Sequence, residues 1–140
     1  RTSTQTFLPF DHDQVTACLL MRAMSFFQLP MEDIEQMQVV RYLPGQEYRA
    51  HYDFMSTDEQ LMGNEWTRLR GQRLATMIVY LQEPVAGGNT TFPSLGISVA
   101  PRKNDALFWY NLNQDGLEDW RTVHRGDPVV EGEKWAMNLW

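Results

Sequence analysis

Tyr42-Leu43-Pro44-Gly45-Gln46-Glu47-Tyr48-Arg49-Ala50-His51-Tyr52-Asp53 is the stretch on which the fold reading turns. Pro44-Gly45 is a turn signal between two runs rich in strand formers, Gln38–Tyr42 and Tyr48–Phe54. Strand side chains alternate with period two, so His51 and Asp53 share one face while Ala50, Tyr52 and Phe54 take the other. An imidazole beside a carboxylate reads either as half of a metal site or as a salt-bridged histidine on a surface strand. A remote histidine shifts the balance, because two His and one carboxylate on one face leave three positions open on non-haem iron(II). His124 lies seventy-three residues downstream, closing the candidate strand Arg121–His124. His12, flanked by Asp11 and Asp13, reads as an exposed residue leading into a helix.

Outward from that stretch, the first third reads as helical and the remainder as strands. Ala17, Leu20, Met21, Met24 and Phe27 recur at helical spacing, which predicts a helix over Asp13–Phe27 with Asp11 or Asp13 as its cap. Leu29-Pro30 ends it, and a short second helix is expected over Met31–Met37. Downstream, candidate strands are Arg73–Leu81, Ile97–Ala100, Ala106–Tyr110 and Lys134–Trp140, separated by turn residues at Gly87-Gly88-Asn89, Asn104-Asp105, Asp115-Gly116 and Gly126-Asp127-Pro128. In the last strand Trp135, Met137 and Leu139 form an apolar face; Lys134, Ala136, Asn138 and Trp140 form the other. Lys134 is then either a solvated edge charge or an interior cation that needs an anion. Many short strands after a helical lead-in predict a mostly β fold, a β-sandwich or jelly roll, with N-terminal helices packed on one side. Met55–Gln72 is a long loop, and loops of that length are usually either mobile or functional.

Composition narrows the function. The 140 residues are 43% hydrophobic and 21% charged, enough for a folded core without staples. Eighteen acidic against twelve basic residues give a net charge of -6, which argues against a nucleic-acid partner. The single cysteine, Cys18, forms no internal disulfide and belongs to no Cys-x-x-Cys pair. The longest apolar run, Ala75–Leu81, falls far short of the roughly twenty residues of a membrane helix. No Walker or dinucleotide glycine motif and no Gly-x-Ser-x-Gly elbow is present, so phosphate cradles and serine hydrolases lack support.

The run from Tyr42 to Asp53 resembles the first iron motif of the prolyl 4-hydroxylase group of 2-oxoglutarate- and iron(II)-dependent oxygenases. Further segments are similar to the same family in order: Arg1-Thr2-Ser3, Gly71-Gln72-Arg73, Met77–Leu81, Gly87–Pro93, Ala106–Tyr110, and His124–Trp135 running on to Trp140. The resemblance implies a double-stranded β-helix over 1–140 as one oxygenase domain. It places iron on His51, Asp53 and His124, and 2-oxoglutarate on Lys134 with Tyr42 and Thr90 as hydroxyl partners. Tyr48, Arg73 and Trp140 match positions that face substrate, and Met55–Gln72 would border its groove. Implied reactants are O2, ascorbate as reductant, and a proline-containing peptide or protein. Hydroxylation of a free amino acid or other small substrate is the alternative; a non-catalytic jelly-roll binding module is the reading from a different class. Two departures stand out. Many relatives carry Cys where Asp127 stands, and the family usually has a helix and a strand before the Arg-Thr-Ser segment. The chain therefore reads as trimmed at its N-terminal edge. A cytoplasmic location is expected, with room for a lost N-terminal targeting segment.

Overall fold

Asp13 opens the main helix, α1 (Gln14–Phe27), through a reciprocal cap: its carboxylate accepts from the Thr16 N–H, and the Thr16 hydroxyl accepts from the Asp13 N–H. A cap of this kind is worth about 1 kcal/mol. Gln28 closes the helix in the left-handed region at φ 57°, its N–H bonded to the Met24 carbonyl. The computed structural model describes residues 1–56, 63 and 65–140. Thr16, Leu20 and Ala23 are buried on α1, with Phe27 partly so; Met21, expected in that stripe, is exposed. At 3.6 residues per turn Thr16, Leu20, Ala23 and Phe27 share one face, and Met21 lies well to its side.

That sheet has five antiparallel strands in the order β1 (Thr4–Leu8), β2 (Met37–Tyr42), β11 (Lys134–Leu139), β4 (Ala75–Gln82) and β8 (Ala106–Tyr110). Period-two alternation sorts its residues. Met37, Met137 and Leu139, with Met77 and Val79, pack outward against Leu20, Ala23 and Ile34. Val40, Tyr42, Tyr80 and Ala136 point inward and are buried there with Val129.

A second sheet, β3 (Tyr48–His51), β9 (His124–Gly126), β6 (Thr90–Phe92) and β7 (Ile97–Val99), faces the first across a cavity. A two-stranded ribbon of β5 (Ala86–Gly87) and β10 (Val129–Glu131) closes one side. The result is the expected jelly roll with a helix on its outer face.

Several local expectations are corrected. The strand expected over Tyr48–Phe54 stops at His51, and Asp53 and Phe54 are both buried beyond its end. His124 opens a strand instead of closing one, because Trp120–Thr122 forms a 3-10 turn. The second helix is a single 3-10 turn, Met31–Asp33, since Met37 is already in β2. Strands β1, β5, β6 and β10 were not expected.

Much of the Met55–Gln72 loop (57–62 and 64) lies outside the described residues; its end is a short helix, α2 (Glu65–Arg70). Gln72 ties its base, accepting from the Met55 N–H at 2.7 Å and donating to the Met55 carbonyl at 2.9 Å. Among the described residues no helix is long and apolar enough to cross a membrane.

Candidate active site

The cavity between the sheets holds about 390 Å³. His51 at the end of β3 and His124 at the start of β9 are cross-strand partners, which brings their rings to 4.2 Å between centroids. Asp53 turns in behind them, its two carboxylate oxygens each 3.6 Å from one imidazole Nε2. One ligand atom from each of the three residues lies within 4.8 Å of the others. Asp53 lies just past the end of β3 and keeps to the cavity side with His51.

The second nitrogens are already committed. His51 Nδ1 lies 2.8 Å from the Arg49 carbonyl and His124 Nδ1 3.0 Å from the Thr122 carbonyl. A carbonyl only accepts, so Nδ1 carries the proton and the Nε2 lone pair faces Asp53. Burial pushes the His124 imidazole below its ordinary range despite the pull of Asp53, which keeps it neutral as a metal ligand must be. Burial alone would push the Asp53 carboxyl up. Its contacts with the His51 and His124 imidazoles and with the Thr76 hydroxyl outweigh it and hold it well below the usual carboxylate range. Two imidazoles and one carboxylate, with the cavity on one side, fit a borderline divalent metal such as iron(II).

Lys134 reaches into the same cavity from the opposite sheet. It is 5% exposed, which removes the solvated-edge reading. Its ammonium donates to the Gly88 carbonyl at 2.6 Å and lies between the Tyr42 and Tyr80 rings, 5.7 and 5.3 Å from their centroids. Burial pushes its pKa down to about 8, partly offset by Asp127. An ammonium has three protons, so a carbonyl partner leaves donors for a bound carboxylate. Tyr42 and Thr90 line the cavity beside it. Burial raises the Tyr42 and Tyr80 phenols, so both stay neutral donors.

Tyr48, Arg73 and Trp140 also line the cavity. Tyr48 stacks on His51 at 3.6 Å, with the Arg1 guanidinium 4.3 Å from its ring. Arg73 is held by both Glu35 oxygens, at 2.5 and 2.8 Å, and stacks on Trp140 at 4.0 Å. Its charge is therefore fixed in place instead of being an exposed strand-start charge.

Sequence reasoning missed Tyr80, whose hydroxyl is 2.9 Å from that of Thr90, and Thr76, which donates to Asp53 Oδ2 at 2.8 Å. The available signal was period two along β4: Thr76, Ile78 and Tyr80 share the face opposite Met77 and Val79.

Comparison with known proteins adds to this geometry. Residues 37–140 match the family model of the 2OG-Fe(II) oxygenase superfamily. The chain is 41% identical over 141 residues to prolyl 4-hydroxylase subunit alpha-2 of Caenorhabditis elegans, covering all of this chain and 26% of that one. It is 35% identical over 159 residues to prolyl 4-hydroxylase 5 of Arabidopsis thaliana, covering all of this chain and 53% of that one. The chain thus spans between a quarter and about half the length of these relatives. Among solved structures, the 2OG complex of a viral collagen prolyl hydroxylase from Paramecium Bursaria Chlorella virus-1 superposes with a TM-score of 0.82 at 32% identity, over 99% of this chain and 78% of that one. A prolyl hydroxylase from Trichoplax adhaerens, in complex with a hypoxia inducible factor peptide fragment, shares the fold at a TM-score of 0.67 and 17% identity, over 100% of this chain and 62% of that one.

Proposed function

This chain belongs to the 2OG-Fe(II) oxygenase superfamily, and from that premise we propose that it hydroxylates proline within a peptide or protein, consuming 2-oxoglutarate and O2 and releasing succinate and CO2. One observation carries the reading: a facial His51, Asp53, His124 cluster and a buried, anion-seeking Lys134 open onto the same cavity from opposite sheets. The similarity to proteins named prolyl 4-hydroxylase supports proline as the residue modified.

His51, Asp53 and His124 would hold iron(II), which supplies the redox chemistry coupling 2-oxoglutarate decarboxylation to oxygen insertion at a C–H bond. The chain's own residues do the rest. The Arg49 and Thr122 carbonyls keep both imidazoles in the ligating tautomer. Asp53 contributes the negative charge that offsets half of a dication. Lys134 would bind the distal carboxylate of 2-oxoglutarate, with the Tyr42 and Thr90 hydroxyls as neutral donors and Tyr80 fixing the Thr90 rotamer. Arg73, preset by Glu35 and Trp140, and Tyr48 would meet the peptide at the cavity wall. A polyproline II segment suits such a wall, since it is already ordered and presents free carbonyls.

The test incubates purified protein with iron(II), 2-oxoglutarate and ascorbate and follows succinate release and oxygen gain in a proline-rich peptide library. Coupled hydroxylation of peptides is the expected result. Turnover of free proline with no peptide product transfers the reading to small substrates, and no succinate under any condition favours a non-catalytic module.

A further inference from the structure

The ligand Asp53 sits at the end of a buried hydrogen-bond chain that neither the iron motif nor the cosubstrate contacts account for. The Trp109 indole N–H donates to Asn111 Oδ1 at 2.9 Å, Asn111 Nδ2 donates to the Thr76 hydroxyl at 2.9 Å, and Thr76 donates to Asp53 Oδ2 at 2.8 Å. Thr76 and Trp109 are cross-strand partners on β4 and β8, so the sheet register itself sets the link. Asn111 is wholly buried, its backbone N–H bonded to the Leu74 carbonyl at 2.8 Å and its carbonyl accepting from Asp119 at 2.9 Å.

Direction along this chain is forced. An indole N–H is a donor only, so the Asn111 oxygen must face Trp109 and its NH2 must face Thr76. The Thr76 oxygen therefore accepts, and its one proton has a single destination, the Asp53 carboxylate. Bonds aligned head to tail polarise one another, which strengthens the last one. The ring of Trp109 also sits edge-on to His124, 4.7 Å between centroids, and to Phe92 at 5.1 Å. One residue thus braces one triad member by its ring and another through three successive hydrogen bonds.

We propose that Trp109, Asn111 and Thr76 form a one-way positioning relay that fixes the Asp53 carboxylate plane for metal binding. The inference rests on the iron-site reading and extends it to three residues that touch neither metal nor substrate. The relay orients one oxygen of Asp53 by Thr76 and leaves the other lone pairs to the cavity. A set of buried polar groups merely satisfying one another would affect stability alone; a relay affects metal affinity selectively.

Cobalt(II) binding to the intact chain, followed anaerobically by d–d absorption with melting temperature measured on each sample, separates the two. Thr76→Val keeps the shape and removes the hydroxyl; it should weaken cobalt binding roughly 10–100-fold. Thr76→Ser restores the donor and should return most of that affinity. Trp109→Phe keeps the ring against His124 and removes the indole N–H, so it should weaken binding in the same direction by a smaller factor. The double variant should bind no worse than Thr76→Val alone, since both act through one bond. Wild-type cobalt affinity in a folded Thr76→Val, or additive losses in the double variant, would overturn the relay. If Thr76→Val does not fold, Trp109→Phe decides: unchanged affinity rejects the proposal and a loss supports it. A wild-type protein that binds no cobalt and no iron sinks the metal reading itself, a distinct outcome from a relay that fails.

Discussion

Lys134 shows how one buried charge sets a pH dependence. Its pKa of about 8 reflects burial between two tyrosine rings, with the Gly88 carbonyl as the hydrogen-bond partner described. A carboxylate arriving beside it favours the ammonium, so the bound-state pKa lies above the free-state value and binding takes up a proton. The affinity for 2-oxoglutarate should hold up to about pH 8 and then fall, by close to tenfold per unit, until the bound-state pKa is reached. For folding the sign is set by the lowered pKa. The ammonium is penalised in the native state, so this residue's cost to stability fades as pH rises from about 8 towards 10.5. Lys134→Ala should weaken 2-oxoglutarate binding by roughly ten- to a hundredfold, flatten the pH profile, and leave cobalt binding nearly unchanged. Calorimetric titrations of 2-oxoglutarate into the metal-loaded protein from pH 7 to 9 check the first two, and a cobalt(II) titration followed by d–d absorption checks the third. An unchanged constant in the Ala variant hands the carboxylate to another cation of the cavity, Arg73 or Arg1; Arg125, the other candidate by motif, is exposed and paired with Asp127.

At the scale of elements, what holds Lys134 in place is a ribbon that sequence patterning did not reveal. β5 is two residues long, and its Gly87-Gly88 reads as a turn. Yet a Cβ on Gly87 would lie 2.5 Å from the Pro128 carbonyl oxygen and 2.8 Å from the Val130 nitrogen, both backbone atoms of the opposing segment that cannot rotate away. Gly87→Ala should therefore separate β5 from β10, lower the melting temperature, and weaken 2-oxoglutarate binding through the displaced Gly88 carbonyl. Gly116→Ala, at a similar positive φ of 75° with nothing within 4 Å, should cost only backbone strain, about 1 kcal/mol, and spare binding. Equal effects from the two substitutions would show that close packing at Gly87 matters little. The contrast also marks what was legible. Helix α1 and strands β2, β8 and β11 are long enough for period and capping to speak, and period two puts Lys134 and Asn138 on one face of β11, which the fold turns inward. β5, β6 and β10 are too short to show a period, and β1, Thr-Gln-Thr-Phe-Leu, is a mostly exposed edge without an apolar face. His51 and His124 stand out because several family-like segments fall in register around a His-x-Asp pair that is weak by itself. Thr76 and Asn111 do not, because a threonine or asparagine in a strand region says nothing until cross-strand register shows what it touches.

For the whole molecule, the decisive feature is that the candidate metal ligands and the candidate anion site belong to different layers. His51 and His124 sit on the four-stranded sheet, with Asp53 just past β3, whereas Lys134 sits on β11 in the middle of the five-stranded sheet. The chain is acidic overall at -6, yet Arg1, Arg73 and Lys134 line the cavity against a lone carboxylate there, Asp53. A dianionic cosubstrate entering the cavity would meet these cations despite the chain's overall negative charge. A metal ion bound to the triad cross-links only one layer. 2-Oxoglutarate spanning from that metal to Lys134 cross-links both, so it should stabilise the fold well beyond the metal alone. At a free concentration a hundredfold above its dissociation constant, a ligand adds about 2.7 kcal/mol. For a chain of this size that is worth roughly 8 °C in melting temperature, taking about 3 °C per kcal/mol. Anaerobic scanning calorimetry with cobalt(II), with 2-oxoglutarate, and with both should show a modest rise for the metal, little for 2-oxoglutarate by itself, and a further increment for the pair. In Lys134→Ala the metal rise should persist while the increment shrinks towards zero, because the second anchor is gone. Should the variant keep the full increment, 2-oxoglutarate does not bridge the two sheets, and its distal carboxylate must be held on the metal's own side of the cavity.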